Sequence, residues 1–296
     1  MNKRNKKSIN KTLDVRQVPS GISNGAMRRL FNNKIAIAGF TVFFIICIAC
    51  IMAPVLTKWN YYSISVENRM QAPSSTHIFG TDSLGRDTFT RLLYGGRITL
   101  AITFISTTLA MLIGGISGIA IGYFGGLVDF IISPILNIIA SIPMFLLAIV
   151  FEAVFGFGRG YFMYAMLISA IPQFAWMVRA SVVNIRKSLY IEAARALGVS
   201  HIMIIIKHVL HNIASQLIVS FTTGLADTLI LCTIMGYLGV GIRPPTPEWG
   251  AIVSGSLTTL RTRPHVVIIP CAIITICIIS LSFFCDGLRD AFDPIE

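Results

Sequence analysis

Charge is scarce in this sequence: 12% of its 296 residues are Asp, Glu, Lys or Arg, about half the roughly 25% of an average soluble domain. So few charges do not solvate a surface of this size, which excludes an ordinary water-soluble domain and makes lipid the main solvent. Nucleotide chemistry is missing as well. No Gly-x-x-x-x-Gly-Lys-Ser/Thr occurs and no glycine is followed by lysine, so the chain has no P-loop to cradle phosphates. No His-Glu-x-x-His occurs either, which removes the commonest helical zinc site.

Apolar residues fill the gap, at 54% of the chain with a mean hydropathy of +0.75. A membrane-spanning helix needs about 20 mainly apolar residues, and six stretches qualify: Ile35 to Leu56, Ile98 to Tyr123, Pro134 to Phe155, Tyr161 to Val183, Ile213 to Tyr237 and Val266 to Cys285. The net charge of +11 does not point to nucleic acid. Lys3, Arg4, Lys6, Lys7, Lys11, Arg16, Arg28, Arg29 and Lys34 crowd the residues before the first apolar run, the positive-inside pattern of a cytoplasmic N-terminus. That run exceeds the 7 to 15 residues of a signal-peptide core, so it reads as a retained span.

Six spans put both termini in the cytoplasm and give an all-α membrane protein. Residues 1–33 form a basic tail, 34–57 the first span, 58–97 an extracytoplasmic segment, 98–287 a five-helix core and 288–296 a cytoplasmic tail. Arg86, Arg91 and Arg97 in the outer segment run against the charge rule, with Asp82, Asp87 and Glu67 as partial offsets. Asp87 is placed to cap a short amphipathic helix from Thr88 to Tyr94 that Gly95 would end. Pro244, Pro245 and Pro247 stiffen the turn before Trp249, which has the character of an interfacial anchor.

Gly114, Gly118 and Gly122, with Gly126 beyond them, recur every four residues and form a stripe on one helix face, where another helix of the complex can approach closely. Cys47-Ile48-Ala49-Cys50 has redox spacing, but inside an apolar span it reads as packing. Glu152 and Asp227 lie in predicted spans, where a carboxylate is costly and is paired or functional. Glu152 is near an outer end. Asp227 is deeper, and is expected to face the bundle interior.

One charged stretch interrupts the apolar runs: "IEAARALGVSHIMIIIKHVLHN", Ile191 to Asn212. Ser188 can cap a helix carrying Glu192, Ala193, Ala194 and Ala196; Gly198 stops it; Ser200 can cap a second helix with Ile202, Ile205, Ile206, Val209 and Leu210 as its apolar face. His208 and His211 share a helix face at a spacing that also suits a metal. On residue chemistry alone, an amphipathic helix lying on the bilayer and a docking loop both fit.

The same stretch resembles the EAA loop of binding-protein-dependent ABC importer permeases, through Glu192, Ala193, Ala194, Gly198, His208, Leu210 and Asn212, with His211 where the family has proline. "FGTDSLGRDTFTRLLYGGRITL" (Phe79 to Leu100), "GYLGVGIRPPTPEWGAIV" (Gly236 to Val253) and "DGLRDAFDPIE" (Asp286 to Glu296) resemble, in order, the C-type permease of the dipeptide, oligopeptide and nickel importers.

The resemblance implies a type I ABC importer permease fold with a cytoplasmic coupling loop at 188–212. It implies a non-catalytic subunit without cofactor or metal, in a bacterial-type inner membrane. Its partners would be a second related permease, two ATPase subunits, an external substrate-binding protein and membrane lipid, with no nucleic acid. The resembling permeases often carry an acid after the Ile-Leu-Leu run, where this chain has Cys232; cargo is then a peptide, nickel or a metal-chelator complex. The competing class is an ion-coupled secondary transporter using Asp227.

Overall fold

The computed structural model describes residues 24–156 and 158–292. The basic cluster from Lys3 to Arg16 and the last four residues of the chain lie outside them. Among the described residues the chain is helical, with a single isolated bridge between Thr81 and Asp87.

A short helix α1 (Asn24–Asn32) leads into α2 (Lys34–Ile51), which Asn33 starts by accepting hydrogen bonds from the amides of Ile35 and Ala36 at 3.2 Å. One turn, α3 (Ala53–Leu56), follows. The chain then runs without long helices to α4 (Thr88–Phe124), 37 residues long. Asp87 caps α4, its Oδ2 accepting from Thr90 N at 2.7 Å. The expected short surface helix is the first two turns of α4, which continues through Gly95. Glycine serves close packing there and not termination. A Cβ on Gly95 would sit 3.1 Å from Ile252 Cδ1, and one on Gly96 2.6 Å from Trp249 Cζ2.

The expected third span is broken. Helices α5 (Gly126–Ser141) and α6 (Met144–Phe155) meet at 89°, because Pro143 drives Ile142 to an extended φ of −88° and ψ of 117° and so ends the helix before it. Helix α7 (Arg159–Arg186), the small helix α8 (Leu189–Ala196), and α9 (His201–Tyr237), which holds a π-helical turn at Ile205–Val209, complete the middle of the chain. Helix α10 (Trp249–Ser256) and α11 (His265–Phe292) follow. Among the described residues five helices are long and apolar enough to cross a membrane, and the bent pair α5–α6 makes six if it counts as one span. The helix of the last span runs to Phe292, into the residues assigned to a tail.

Glycine sets the packing of the two tightest helix pairs. A Cβ on Gly114 would lie 2.6 Å from Ile171 O, on Gly118 2.5 Å from Ala175 O, and on Gly122 2.9 Å from Val182 Cβ. The stripe therefore seats α4 against another helix, as its spacing suggests, and that helix is α7 of the same chain. Gly126 is not part of it, since the helix ends at Phe124 and Gly126 turns away at φ +50°. Gly39 does the same for α2 and α11, with Ser280 O 2.5 Å from the place of its Cβ.

Helix α10 is held inside the bundle by its own cap. Glu248 is wholly buried; its carboxylate accepts from Gly250 N at 3.0 Å, Ala251 N at 2.9 Å and Thr99 Oγ1 at 3.1 Å. Burial pushes the carboxyl above its ordinary range, and those donors pull it back. Trp249, expected at an interface, is wholly buried too, its indole donating to Leu92 O at 2.9 Å. The indole N–H has a carbonyl partner in the core, which removes the reason for an interfacial place.

Candidate functional site

The charged interruption folds as a small platform at the far end of α4. Helix α8 starts at Leu189, but Ser188 does not cap it with its side chain; the hydroxyl donates to Ile185 O at 2.6 Å instead. Ile191 and Ala194, three residues apart and so on one face, are buried with Ile204, Val209 and Ile213. The opposite face is bare. Glu192 and Ala193 are exposed, and Leu189 and Leu197 are 82% and 83% exposed. Of the two alanines, only Ala193 is open to a partner.

Gly198 has φ +79° and open space where a Cβ would go, so it is needed for backbone conformation and not for clearance. Gly198→Ala is expected to cost about 1 kcal/mol, and Gly198→Asn less, because asparagine tolerates the left-handed region. Thermal melting of the purified variants checks the order; equal midpoints for glycine and alanine would contradict it.

Ser200 caps the next turn, accepting from Met203 N at 3.4 Å. Its buried residues are Ile204 and Val209, while Ile202 and Ile206 of the expected apolar face point outward at 71% and 58% exposure. The π-helical turn at Ile205–Val209 changes the register between them. His208 is half-buried, its ring 6.1 Å from that of Tyr190, and its carbonyl accepts from Asn212 Nδ2 at 2.6 Å. Asn212 thus fastens the start of the span.

A polar tie fixes the platform to α4. Tyr123, 2% exposed, bonds His201 Nδ1 through its hydroxyl at 2.9 Å, and the Arg195 guanidinium lies 5.0 Å over its ring. The platform is therefore in contact with the end of the helix whose glycines seat it on α7.

Asp227 is on the exposed face of α9, not in the core of the chain. Gln173 Nε2 donates to it at 3.4 Å. Gln216, Ser220, Thr223 and Asp227, at spacings of four, three and four, form one polar line on α9. Ser181 Oγ donates to Gln216 Oε1 at 2.5 Å, and a cavity of about 470 Å³ is lined by Gln173, Met177, Gln216, Ser220, Thr223 and Arg289. Asp227 is ten residues from the end of α9, about 15 Å along the axis, which is close to mid-depth in a hydrocarbon core about 30 Å thick. Carboxylate facing lipid there would cost about 3 kcal/mol or more. This face is one to be covered by water or protein. Sequence reading took Asp227 alone and missed the line, although its period was readable in an otherwise apolar run.

Glu152 is partly exposed, with its carboxylate accepting from Gly241 N at 3.3 Å and Arg243 at 3.5 Å. It ties α6 to the turn after α9.

Residues 110–295 match the family described as "Binding-protein-dependent transport system inner membrane component", and residues 24–73 match the "N-terminal TM domain of oligopeptide transport permease C". The dipeptide transport system permease protein DppC of Alkalihalophilus pseudofirmus is 36% identical over 91% of this chain and 88% of its own. The glutathione transport system permease protein GsiD of Pectobacterium atrosepticum is 36% identical over 90% and 89%. Among solved structures, an inward-facing MetNI methionine ABC transporter chain shares the fold at a TM-score of 0.50 and 22% identity, covering 68% of this chain and 95% of that one. With its all-helical bundle, exposed loop platform and matched sequence over both segments, this chain belongs to the ABC peptide-importer permeases of the C type, multi-pass components of the bacterial inner membrane.

Proposed function

We propose that this permease is one half of the membrane path of an ATP-driven importer of short peptides, paired with a second related permease, two ATPase subunits and an external binding protein. The observation that carries the reading is the rigid mount and bare face of α8: Ile191 and Ala194 are anchored in the core while Glu192, Ala193 and Leu197 are presented outward. That face docks in an ATPase cleft, which places the loop and both termini in the cytoplasm. Closure of the ATPases then moves α8, and through Tyr123 the α4–α7 pair, between inward-open and outward-open states. Nucleotide shifts that equilibrium only through unequal affinity for the two states.

Asp227 and its polar line face the passage between the two permeases. The curated relatives are named for dipeptide and glutathione transport, and peptide cargo suits a passage with one carboxylate and several amide and hydroxyl groups. Metal-chelate cargo rested on Cys232 standing in the place of an acid. Cys232 is wholly buried in the core with Ile102 and Met166, which supports a packing role for it and not a contact with cargo. An ion-coupled carrier has no task for the α8 platform.

Asp227→Asn tests the cargo path, since it keeps shape and hydrogen bonding while removing charge. In proteoliposomes holding the whole complex, half-saturation for a lysine-containing dipeptide is expected to rise about fivefold, the worth of roughly 1 kcal/mol between charges in a wet passage, with little change for a neutral dipeptide. Equal behaviour of the two peptides would restrict Asp227 to hydrogen bonding. An Asp227→Cys variant labelled only by lipid-dissolved reagents, in every transport state, would remove it from the path.

A further inference from the structure

At the opposite end of α4 from the platform lies a second, smaller site. Thr88 and Tyr123 are 35 residues apart on one helix, about 50 Å along its axis. There a cavity of about 60 Å³ is bordered by Asp82, Arg86, Thr88, Arg91, Thr246 and Ser256. Two guanidinium groups share a single carboxylate. Arg86 Nε lies 2.7 Å and Arg91 Nε 3.5 Å from Asp82 Oδ2, and the other oxygen of Asp82 accepts from the amides of Leu84 and Arg86. The next carboxylate, Asp87, is engaged by His77 Nδ1 at 2.8 Å and by Thr90. The side chains that line the cavity, Asp82 against Arg86 and Arg91, thus carry one positive charge in excess.

Thr88 makes the site more than a structural ion pair. It is 2% exposed, and its Oγ1 is buried with no hydrogen-bond partner. An orphaned buried hydroxyl carries a desolvation penalty with nothing to offset it, and its residue lines the same cavity as Arg91, itself 5% exposed.

We infer that this cavity receives the carboxylate of an aspartate or glutamate side chain of the external binding protein, with Arg86, Arg91 and Thr88 as donors. The inference rests on the importer reading. Three facts select the occupant. The cavity is at the end of the bundle away from the ATPase platform; its lining side chains carry excess positive charge; and its size, room for only a few waters, admits a carboxylate group but not a peptide, whose pockets run to roughly 300 Å³ or more. Guanidinium pairs hold carboxylates with charge-assisted bonds, and a buried single anchor of this kind is what a docking partner inserts at the centre of its interface.

Thr88→Val separates this role from a structural one. Valine keeps the shape and removes an unpaired hydroxyl, so fold stability should hold or rise. In the assembled transporter in nanodiscs, affinity for the binding protein is expected to fall about tenfold, as for loss of one hydrogen bond to a charged group, and Thr88→Ser should restore it. Neutralising the surface carboxylates of the binding protein one at a time should find one whose loss weakens the parent complex but adds nothing to Thr88→Val. Unchanged affinity in Thr88→Val overturns the inference. So does competition by acetate at constant ionic strength that leaves every binding-protein carboxylate without effect, since that assigns the cavity to a free small carboxylate. Failure of the parent complex to bind any external protein would instead overturn the importer reading itself.

Discussion

Leucine at Gly118 should abolish the folded permease. The place of its Cβ is 2.5 Å from Ala175 O and 2.8 Å from Val178 Cβ, so even a methyl group forces two helix backbones apart, and overpacking of that kind costs about 1–3 kcal/mol. Leucine adds three more carbons at the same point. Gly118→Ala is expected to lower the thermal midpoint clearly and Gly118→Leu to leave almost no protein in the membrane. Gly115, one turn back and three residues away, has no atom within 4 Å of the place of its Cβ. Gly115→Ala should be neutral or slightly stabilising, because alanine suits a helix better by about 0.5–1 kcal/mol. Membrane abundance and melting of the purified variants read both. Equal effects at 115 and 118 would mean that the seam does not hold α4 to α7.

Leu197→Asp is expected to leave the permease folded and strip it of its ATPases. The side chain is 83% exposed, so nothing in this chain opposes the change. In an ATPase cleft the carboxylate would be desolvated without a partner, at about 2 kcal/mol or more, which weakens association roughly thirtyfold or beyond. Uptake should fall with ATPase co-purification while membrane abundance stays normal. Leu197→Met should retain both. Normal ATPase recovery with Leu197→Asp would place the cleft contact elsewhere on the platform.

The spans were legible because an 18-residue apolar run has few other uses, and the loop was legible because its charges and glycine interrupt such runs. What stayed hidden depends on which atoms meet across space. Gly95 has the look of a helix end, yet the tertiary neighbours Trp249 and Ile252 make it a packing glycine within α4. Trp249 has the look of an interfacial anchor until Leu92 O is seen to accept its N–H. The glycine stripe announced close approach without naming α7 as the partner. A bend at Pro143 was readable, since a proline within an apolar run removes a backbone donor and pushes the preceding residue out of helix; its size, 89°, was not. At the site, Glu192 and Gly198 were readable from local chemistry. The polar line from Gln216 to Asp227 and the unpaired Thr88 required the fold.

The account stands on contact between the α8 platform and an ATPase, and a photo-crosslinker at Ala193 tests that contact most directly. Ala193 is exposed and its neighbour Ala194 is buried, so the probe at 193 disturbs no packing within the chain. Irradiation of membranes holding the whole complex is predicted to join Ala193 to the ATPase subunit in a yield that changes with nucleotide, while the same probe at Ile116, exposed on α4, gives no such adduct. A probe at Ala193 that reacts with lipid and never with the ATPase, in any nucleotide state, would contradict the account.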